Sequence, residues 1–89
     1  MRNTQVQLEW NVDVKKKYDT MIAKMPMFHR SIAKEVVDKK AVINAQERGA
    51  DKIEEADVVR AFLTEVPKAF YSLMIRIMDE VGFDAKKYE

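Results

Sequence analysis

Residues 45–59 read AQERGADKIEEADVV, and this stretch contains the end of one helix and the start of the next. Gly49 lies where a left-handed residue would end the first of them, a position that glycine occupies most easily. Residues 50–52 are expected to form a turn, and Ile53 supplies a single apolar anchor. Two glutamates then begin another helix, where the helix dipole favours negative charge. The stretch therefore predicts two helices joined by a tight turn.

Further helices are predicted on both sides of this turn. The first follows Asn11, a good N-cap residue, and ends near Lys24, because a proline two residues later disfavours helix before it. The second is long and covers about residues 28–48, and a fourth follows Pro67 and ends at Gly82. The sequence thus predicts an all-α, single compact domain of about four helices, with a long second helix and a short third one.

Apolar side chains at steps of three and four identify the buried faces of these helices. The second helix is ambiguous because it carries two adjacent apolar stripes, one formed by Ile32, Val36 and Ile43 and the other by Ala33, Val37, Ala41 and Ala45. The predicted core consists of Tyr18, Met21, Ile22, Met25, Val36, Val37, Ile53, Val59, Phe62, Leu63, Leu73, Met74 and Ile77.

The 89 residues divide into three predicted segments. Residues 1–10 form a loosely ordered N-terminal segment, residues 11–83 the helical domain, and residues 84–89 a frayed, charged tail. Trp10 is expected to pack on the helical body, because its large apolar side chain gains much from burial.

The composition restricts the class of protein. Sixteen basic residues against fifteen acidic ones give a net charge of +1, which is low for a protein that packages DNA. The chain has no cysteine, which excludes disulfides and cysteine-held metal centres. No secretion signal and no apolar run long enough to span a membrane are found, so we predict a cytoplasmic location without membrane attachment.

No catalytic or metal-binding constellation is found. His29 is the only histidine, and no nucleophile, base and orienting group occur with a usable spacing. Met25-Pro26-Met27-Phe28-His29-Arg30 instead places adaptable apolar side chains at the corner between the first two helices. The predicted ligand or partner surface is Met25, Met27, Phe28, His29 and Arg30, with no cofactor assigned. Arg30 opposes the dipole of its own helix, so a carboxylate from Glu55 or Asp57, or an anionic ligand, is expected beside it.

Several positions between residues 10 and 62 form a pattern: Trp10, Ile22-Ala23-Lys24-Met25-Pro26, Phe28, Arg30, Ala33, Ala45-Gln46-Glu47-Arg48-Gly49, Ile53 and Val58-Val59. The pattern resembles the small helical domain at the C-terminus of the B subunit of light-independent protochlorophyllide reductase, which also occurs as short free-standing proteins. The resemblance implies a non-catalytic accessory module that contacts a tetrapyrrole-type ligand or a reductase-like protein partner. The iron–sulfur chemistry of that enzyme belongs to its other domains.

A second pattern consists of Ala45, Gly49, Ile53, Asp57-Val58 and Ala61. It resembles the end of the long central helix of the histone fold, with the loop and short helix that follow. This resemblance implies a self-associating DNA-binding protein, with a dimer built on the second helix and a basic ridge of Lys15, Lys16, Lys17 and Arg30. Nucleic acid is therefore the alternative partner, and the sequence does not specify the oligomeric state.

Overall fold

The computed structural model describes residues 8–88, so residues 1–7 of the predicted N-terminal segment and Glu89 of the predicted tail lie outside it. No helix in the described part has the length and apolarity needed to cross a bilayer. The helices are α1 (Val12–Lys24), α2 (Met27–Glu47), α3 (Glu55–Glu65), α4 (Tyr71–Val81) and α5 (Ala85–Tyr88), with a 3-10 turn at Lys68–Phe70 and two strands, β1 (Glu9–Trp10) and β2 (Lys52–Ile53). The predicted all-α fold is confirmed.

The first helix begins and ends where the sequence indicated. The side-chain oxygen of Asn11 accepts hydrogen bonds from the backbone N–H groups of Asp13 and Val14, at 2.9 and 3.2 Å. Such a cap satisfies donors that have no partner within the helix. At the other end Met25 is extended, with ψ of 154°, as expected for a residue before proline.

The turn between α2 and α3 has the predicted left-handed glycine. Gly49 has φ of 74°, and its N–H donates to the carbonyl of Gln46 at 2.9 Å. The next N–H, that of Ala50, donates to the carbonyl of Ala45 at the same distance. These bonds end α2 and reverse the chain, so that the fully buried Ile53 returns to the core.

Two short strands join the N-terminal segment to this turn. β1 pairs with β2 in parallel, with Glu9 opposite Lys52 and Trp10 opposite Ile53. The backbone N–H of Asn11 continues the pairing by donating to the carbonyl of Ile53 at 3.0 Å. The starts of α1 and α3 therefore lie side by side. Trp10 stacks on the ring of Tyr18 with centroids 5.1 Å apart, which confirms its predicted packing on the helical body.

The core side of α2 is its small-residue stripe. Val37, Ala41 and Ala45 are completely buried, whereas Ile32 and Ile43 of the neighbouring stripe are exposed. Small side chains allow α3 to pack closely against this face. Within the predicted core, Ile22, Val36, Leu63 and Leu73 are only partly buried. The buried apolar residues that the predicted core omitted are Val14, Ala41, Ala45, Val58, Ala61, Met78, Phe83 and Ala85.

After α4 the chain turns at Gly82, as predicted, and then forms the short helix α5 within the segment that was predicted to be a frayed tail. Gly82 has φ of 95° and ends α4, and the N–H of Phe83 donates to the carbonyl of Met78 at 2.8 Å. Phe83 is buried, as expected for the apolar contact that accompanies such a cap. The N–H of Asp84 donates to the carboxylate of Glu55 at 3.1 Å, which holds the start of α5 beside α3.

Candidate binding groove

An apolar groove lies between the α1–α2 corner and the segment that leads from α3 into α4. Its volume is about 150 Å³. One wall comes from the start of α2, and the other from the end of α3, the 3-10 turn and α4. The lining residues are Met25, Pro26, His29, Ile32, Ala33, Val36, Glu65, Val66, Pro67, Phe70, Leu73 and Met74.

Both walls depend on a proline that changes the direction of the chain. Pro26 has φ of −54° and precedes α2 directly, while Pro67 has φ of −57° and precedes the 3-10 turn. Proline suits the first turn of a helix, because its ring fixes φ and its missing N–H would have had no helical partner. The two helix starts therefore have defined directions, and the space between them stays open.

Arg30 holds the corner in a different way from the one predicted. Its guanidinium donates to the carbonyl of Ala23 at 2.7 Å and to that of Met25 at 3.0 Å. Neither carboxylate proposed as its partner is used, because Asp57 binds Arg48 and Glu55 accepts from Asp84. The compensating negative charge is instead the carbonyl end of α1, where the helix dipole is negative. Arg30 is thus a cap for α1.

The mouth of the groove carries large apolar side chains in solvent. Met27 is 78% exposed, Phe28 75% and Ile32 66%. The half-exposed His29 ring lies between Phe28 and Phe70, with ring centroids 4.2 and 4.9 Å away. Three rings thus form a continuous surface across the groove, from α2 to the segment before α4.

The five residues predicted as a binding surface occupy four different environments. Met27 and Phe28 are at the exposed mouth, His29 lines the groove, Met25 is buried at its base, and Arg30 caps α1. The predicted surface did not include the opposite wall, formed by Glu65, Val66, Pro67, Phe70 and Leu73. Pro67 could have indicated this wall, because it directly precedes a helical segment, as Pro26 does on the first wall.

Among residues 8–88, Glu65 is the one carboxylate that lines the groove. It is exposed, and none of the ion pairs formed within residues 8–88 includes it. Within the same residues, no group of three or more His, Asp or Glu side chains is placed to hold a metal ion. The groove can therefore bind an apolar group and place a negative charge at its edge.

The strongest ion pair of the described residues lies away from the groove, at the α2–α3 turn. Arg48 donates to the two carboxylate oxygens of Asp57 at 3.0 and 2.6 Å, and the side chain of Asp57 is 2% exposed. The second of these oxygens also accepts the N–H of Glu54, at 2.9 Å. The hydrogen bond from Arg48 to Asp57 raises the pKa of the guanidinium. This pair fixes the turn and leaves no free group for chemistry.

A polar contact also crosses the core between α1 and α2. The hydroxyl of the buried Tyr18 donates to the carboxylate of Asp38, and Lys34 pairs with the same carboxylate at 3.1 Å. Burial of the ring, followed by this hydrogen bond, raises the pKa of Tyr18 well above its usual value. Tyr18 is therefore a protonated donor that links the two helices.

The fold and the groove define a small helical domain with an apolar groove on its surface. The chain belongs to DUF2621, a family of proteins of unknown function, whose model matches residues 3–89. No curated protein and no solved structure matches the chain.

Proposed function

We propose that this protein is a non-catalytic accessory module that binds a partner protein through the groove between α2 and α4. The observation that supports the proposal is the combination of an apolar groove with large apolar side chains exposed at its mouth. Exposed apolar surface of this kind is typical of interaction sites. The resemblance to the small domain of the reductase B subunit also favours an accessory role.

The size and charge of the groove restrict what it binds. A cavity of roughly 150 Å³ accommodates one benzene-sized group. The occupant is therefore a single aromatic or branched apolar side chain of a partner segment. Glu65 at the edge favours a Lys or Arg beside that anchor. Met25 and Met74 at the base adapt to the shape of the anchor, because thioether side chains are flexible.

A tetrapyrrole is the second candidate occupant, supported by the surface of Phe28, His29 and Phe70. Aromatic rings at the mouth offer stacking surfaces to a flat macrocycle. The groove would accept only one edge of the macrocycle, so most of the pigment would remain exposed or be covered by a reductase-like partner.

Acidic side chains at the helix starts weigh against the DNA-binding alternative. Asp13, Glu54 and Glu55 surround the adjacent starts of α1 and α3, and they would repel phosphate. The expected basic ridge is also interrupted, because Lys15 pairs with Asp19.

The test of groove binding uses indole as a probe and a variant in which a larger side chain occupies the groove. In wild-type protein labelled for NMR, indole should shift the signals of Ala33, Leu73 and Met74. Ala33→Phe places a ring in the groove and should abolish these shifts, whereas Val12→Phe, at an exposed apolar position on α1, should retain them. Shifts spread over the whole surface, or unaffected by Ala33→Phe, would refute the groove as the binding site.

Further binding assays with these variants and with Phe28→Ala identify the class of occupant. A partner captured from native lysate should be retained by wild type and Val12→Phe and lost with Ala33→Phe. A saturable shift of the protoporphyrin Soret band that Phe28→Ala removes would favour the tetrapyrrole.

Duplex DNA binding measured at about 50 and 200 mM salt tests the DNA-binding alternative, because phosphate contacts weaken steeply over this range. Tight, salt-dependent binding by a dimer would overturn the accessory-module proposal.

A further inference from the structure

The outer face of α2 carries an apolar stripe that no other part of the described chain covers. We define the outer stripe as Phe28, Ile32, Val36 and Ile43. Three of them are exposed, by 75%, 66% and 43% for Phe28, Ile32 and Ile43, and Val36 is half-buried. These positions fall within about 80° on a helix with 3.6 residues per turn, so they lie on one face of α2, with about two turns between Val36 and Ile43. Two of them, Phe28 and Ile43, lie outside the groove lining.

One edge of the outer stripe carries a pair of opposite charges. Glu35 and Lys39 are both exposed and are four residues apart, so they lie on the same side of the helix. None of the ion pairs between residues 8 and 88 includes either of them. The stripe therefore has one negative and one positive group available to a partner along the same edge.

The charges and the isoleucines share a common centre. Glu35 and Lys39 are placed symmetrically about residue 37, and Ile32 and Ile43 about a point between residues 37 and 38. Suppose that a second α2 packs antiparallel against the first, related to it by a two-fold axis beside residue 37. This axis brings each Glu35 close to a Lys39 of the other copy. The same axis brings each Ile32 close to an Ile43. An isologous interface requires such self-complementarity.

We propose that the protein forms a two-fold symmetric dimer in which the outer stripes of two α2 helices pack antiparallel. Two reciprocal ion pairs between Glu35 and Lys39 set the register, and Ile32 packs against Ile43 of the other copy on each side of the axis, about 8 Å from it at 1.5 Å per residue. The second copy is favoured over an unrelated partner because the stripe is complementary in charge to its own inverted copy. This dimer goes beyond the proposed function, since it adds Ile43, Glu35 and Lys39, which lie outside the groove lining. Because it shares Phe28 at the mouth of the groove and Ile32 and Val36 in the lining, the dimer would compete with a groove-bound partner.

The interface is small, so the dimer is weak and depends on concentration. A stable interface buries about 800 Å² on each partner, which is a large share of the 5814 Å² surface of the protein. A single helix face about 30 Å long, at 1.5 Å per residue, supplies less than that. We expect a monomer at micromolar concentration and a mass that approaches twice the monomer value in the high micromolar to millimolar range.

Sedimentation equilibrium over this concentration range tests the dimer. Ile43→Glu should keep the protein monomeric, because it places a charge in both isoleucine contacts of the interface without changing the groove lining. Val12→Glu is the matched control on α1 and should leave the association unchanged. A wild-type protein that remains monomeric at 1 mM, or a dimer that tolerates Ile43→Glu, would overturn the proposal.

A charge exchange tests the register. Glu35→Lys and Lys39→Glu should each raise the dissociation constant about tenfold or more, since each creates like-charged contacts across the axis. The double variant restores two opposite pairs and should return the constant to within about threefold of wild type. Loss of dimer in the double variant as well would refute this register. Failure of any of these tests leaves the indole and Ala33→Phe results unaffected, so the two proposals can fail separately.

Discussion

At the scale of single residues, two buried polar groups each form a hydrogen bond with a charged side chain on a neighbouring helix or turn. Tyr18 donates to Asp38 from inside the core, and Asp57 accepts from Arg48 at the α2–α3 turn. A buried polar group is costly when its partner is removed, because it can no longer exchange that bond for water. Each residue therefore gives a specific stability prediction.

Tyr18→Phe should destabilise the protein in a pH-dependent way. At pH 8 the loss of the hydrogen bond to a carboxylate should cost about 1.5 kcal/mol. Burial raises the pKa of Tyr18 in the folded state above the value of about 10 in the unfolded chain. Because the folded state keeps this proton to a higher pH than the unfolded chain, Tyr18 contributes fully to the free energy of unfolding below about pH 10. Above about pH 10 that contribution declines by about 1.4 kcal/mol per pH unit.

Urea unfolding of both proteins at pH 8 and pH 11 measures this effect. The variant has no hydroxyl at this position, so its free energy of unfolding does not contain the pH-dependent contribution of Tyr18. The difference in free energy of unfolding between the two proteins should therefore nearly vanish at pH 11. A difference that stays constant between the two pH values would show that the folded and unfolded states bind this proton equally.

Arg48→Met should be among the most damaging single changes outside the apolar core. It leaves the carboxylate of Asp57 buried without its cation, and breaking a buried pair costs about 3 kcal/mol or more. Lys15→Met is the matched control, because it removes an exposed pair with Asp19 and should cost less than about 1 kcal/mol. Equal losses in thermal unfolding would contradict the structural role of Arg48.

At the scale of elements, α2 has two apolar faces with different uses. The face of Val37, Ala41 and Ala45 is buried against the rest of the domain, and the outer stripe is left in solvent. Burial here is decided by shape rather than by hydrophobicity, since alanine permits a closer approach of α3 than isoleucine would. The length of α2 was predictable from its spacing, but the choice between its two stripes was not.

Ala41→Leu tests the close packing of α2 on α3. Three additional carbon atoms have no space at a completely buried position, so overpacking should cost about 1–3 kcal/mol. Ile43→Leu on the exposed face is the control and should change the free energy of unfolding by less than about 0.5 kcal/mol. If Ala41→Leu is neutral or stabilising, the α2–α3 contact is looser than described.

Sequence patterns predicted the elements better than the groove. Asn11, Pro26, Gly49 and Gly82 act through local backbone geometry, so the helix ends that they mark could be read directly. The groove depends on how the start of α2 faces the start of α4, which is a long-range relation that no local pattern encodes. The role of Arg30 was missed for the same reason, because its acceptors are carbonyls that every residue has.

At the scale of the whole molecule, the two ends of the chain complete the domain. β1 pairs with β2 beside the α2–α3 turn, and Phe83 and Ala85 are buried after α4. The prediction that residues 84–89 form a frayed tail can be tested by truncation. Ending the chain after Gly82 should cost about 3 kcal/mol, because Phe83 leaves a buried site.

A second truncation, after Ala85, is the control for the first. It retains Phe83 and removes the half-buried Tyr88 and the exposed Lys86 and Lys87 together with Glu89, so the loss should be on the order of 1 kcal/mol. Both truncated proteins can be compared with the full chain by urea unfolding. Equal losses would mean that the last four residues carry the stabilisation, contrary to a frayed tail.

The parallel pairing of β1 with β2 also has a consequence for the order in which the protein folds. α2, its glycine turn and α3 are adjacent in sequence, whereas the bond from Asn11 to Glu54 spans 43 residues. Contacts that close long loops form late, because the chain loses more entropy in making them. We expect the N-terminal strand to dock last and to detach first. In hydrogen exchange, the amide of Asn11 should therefore exchange through local opening, while that of Phe62 should exchange only when the whole domain unfolds.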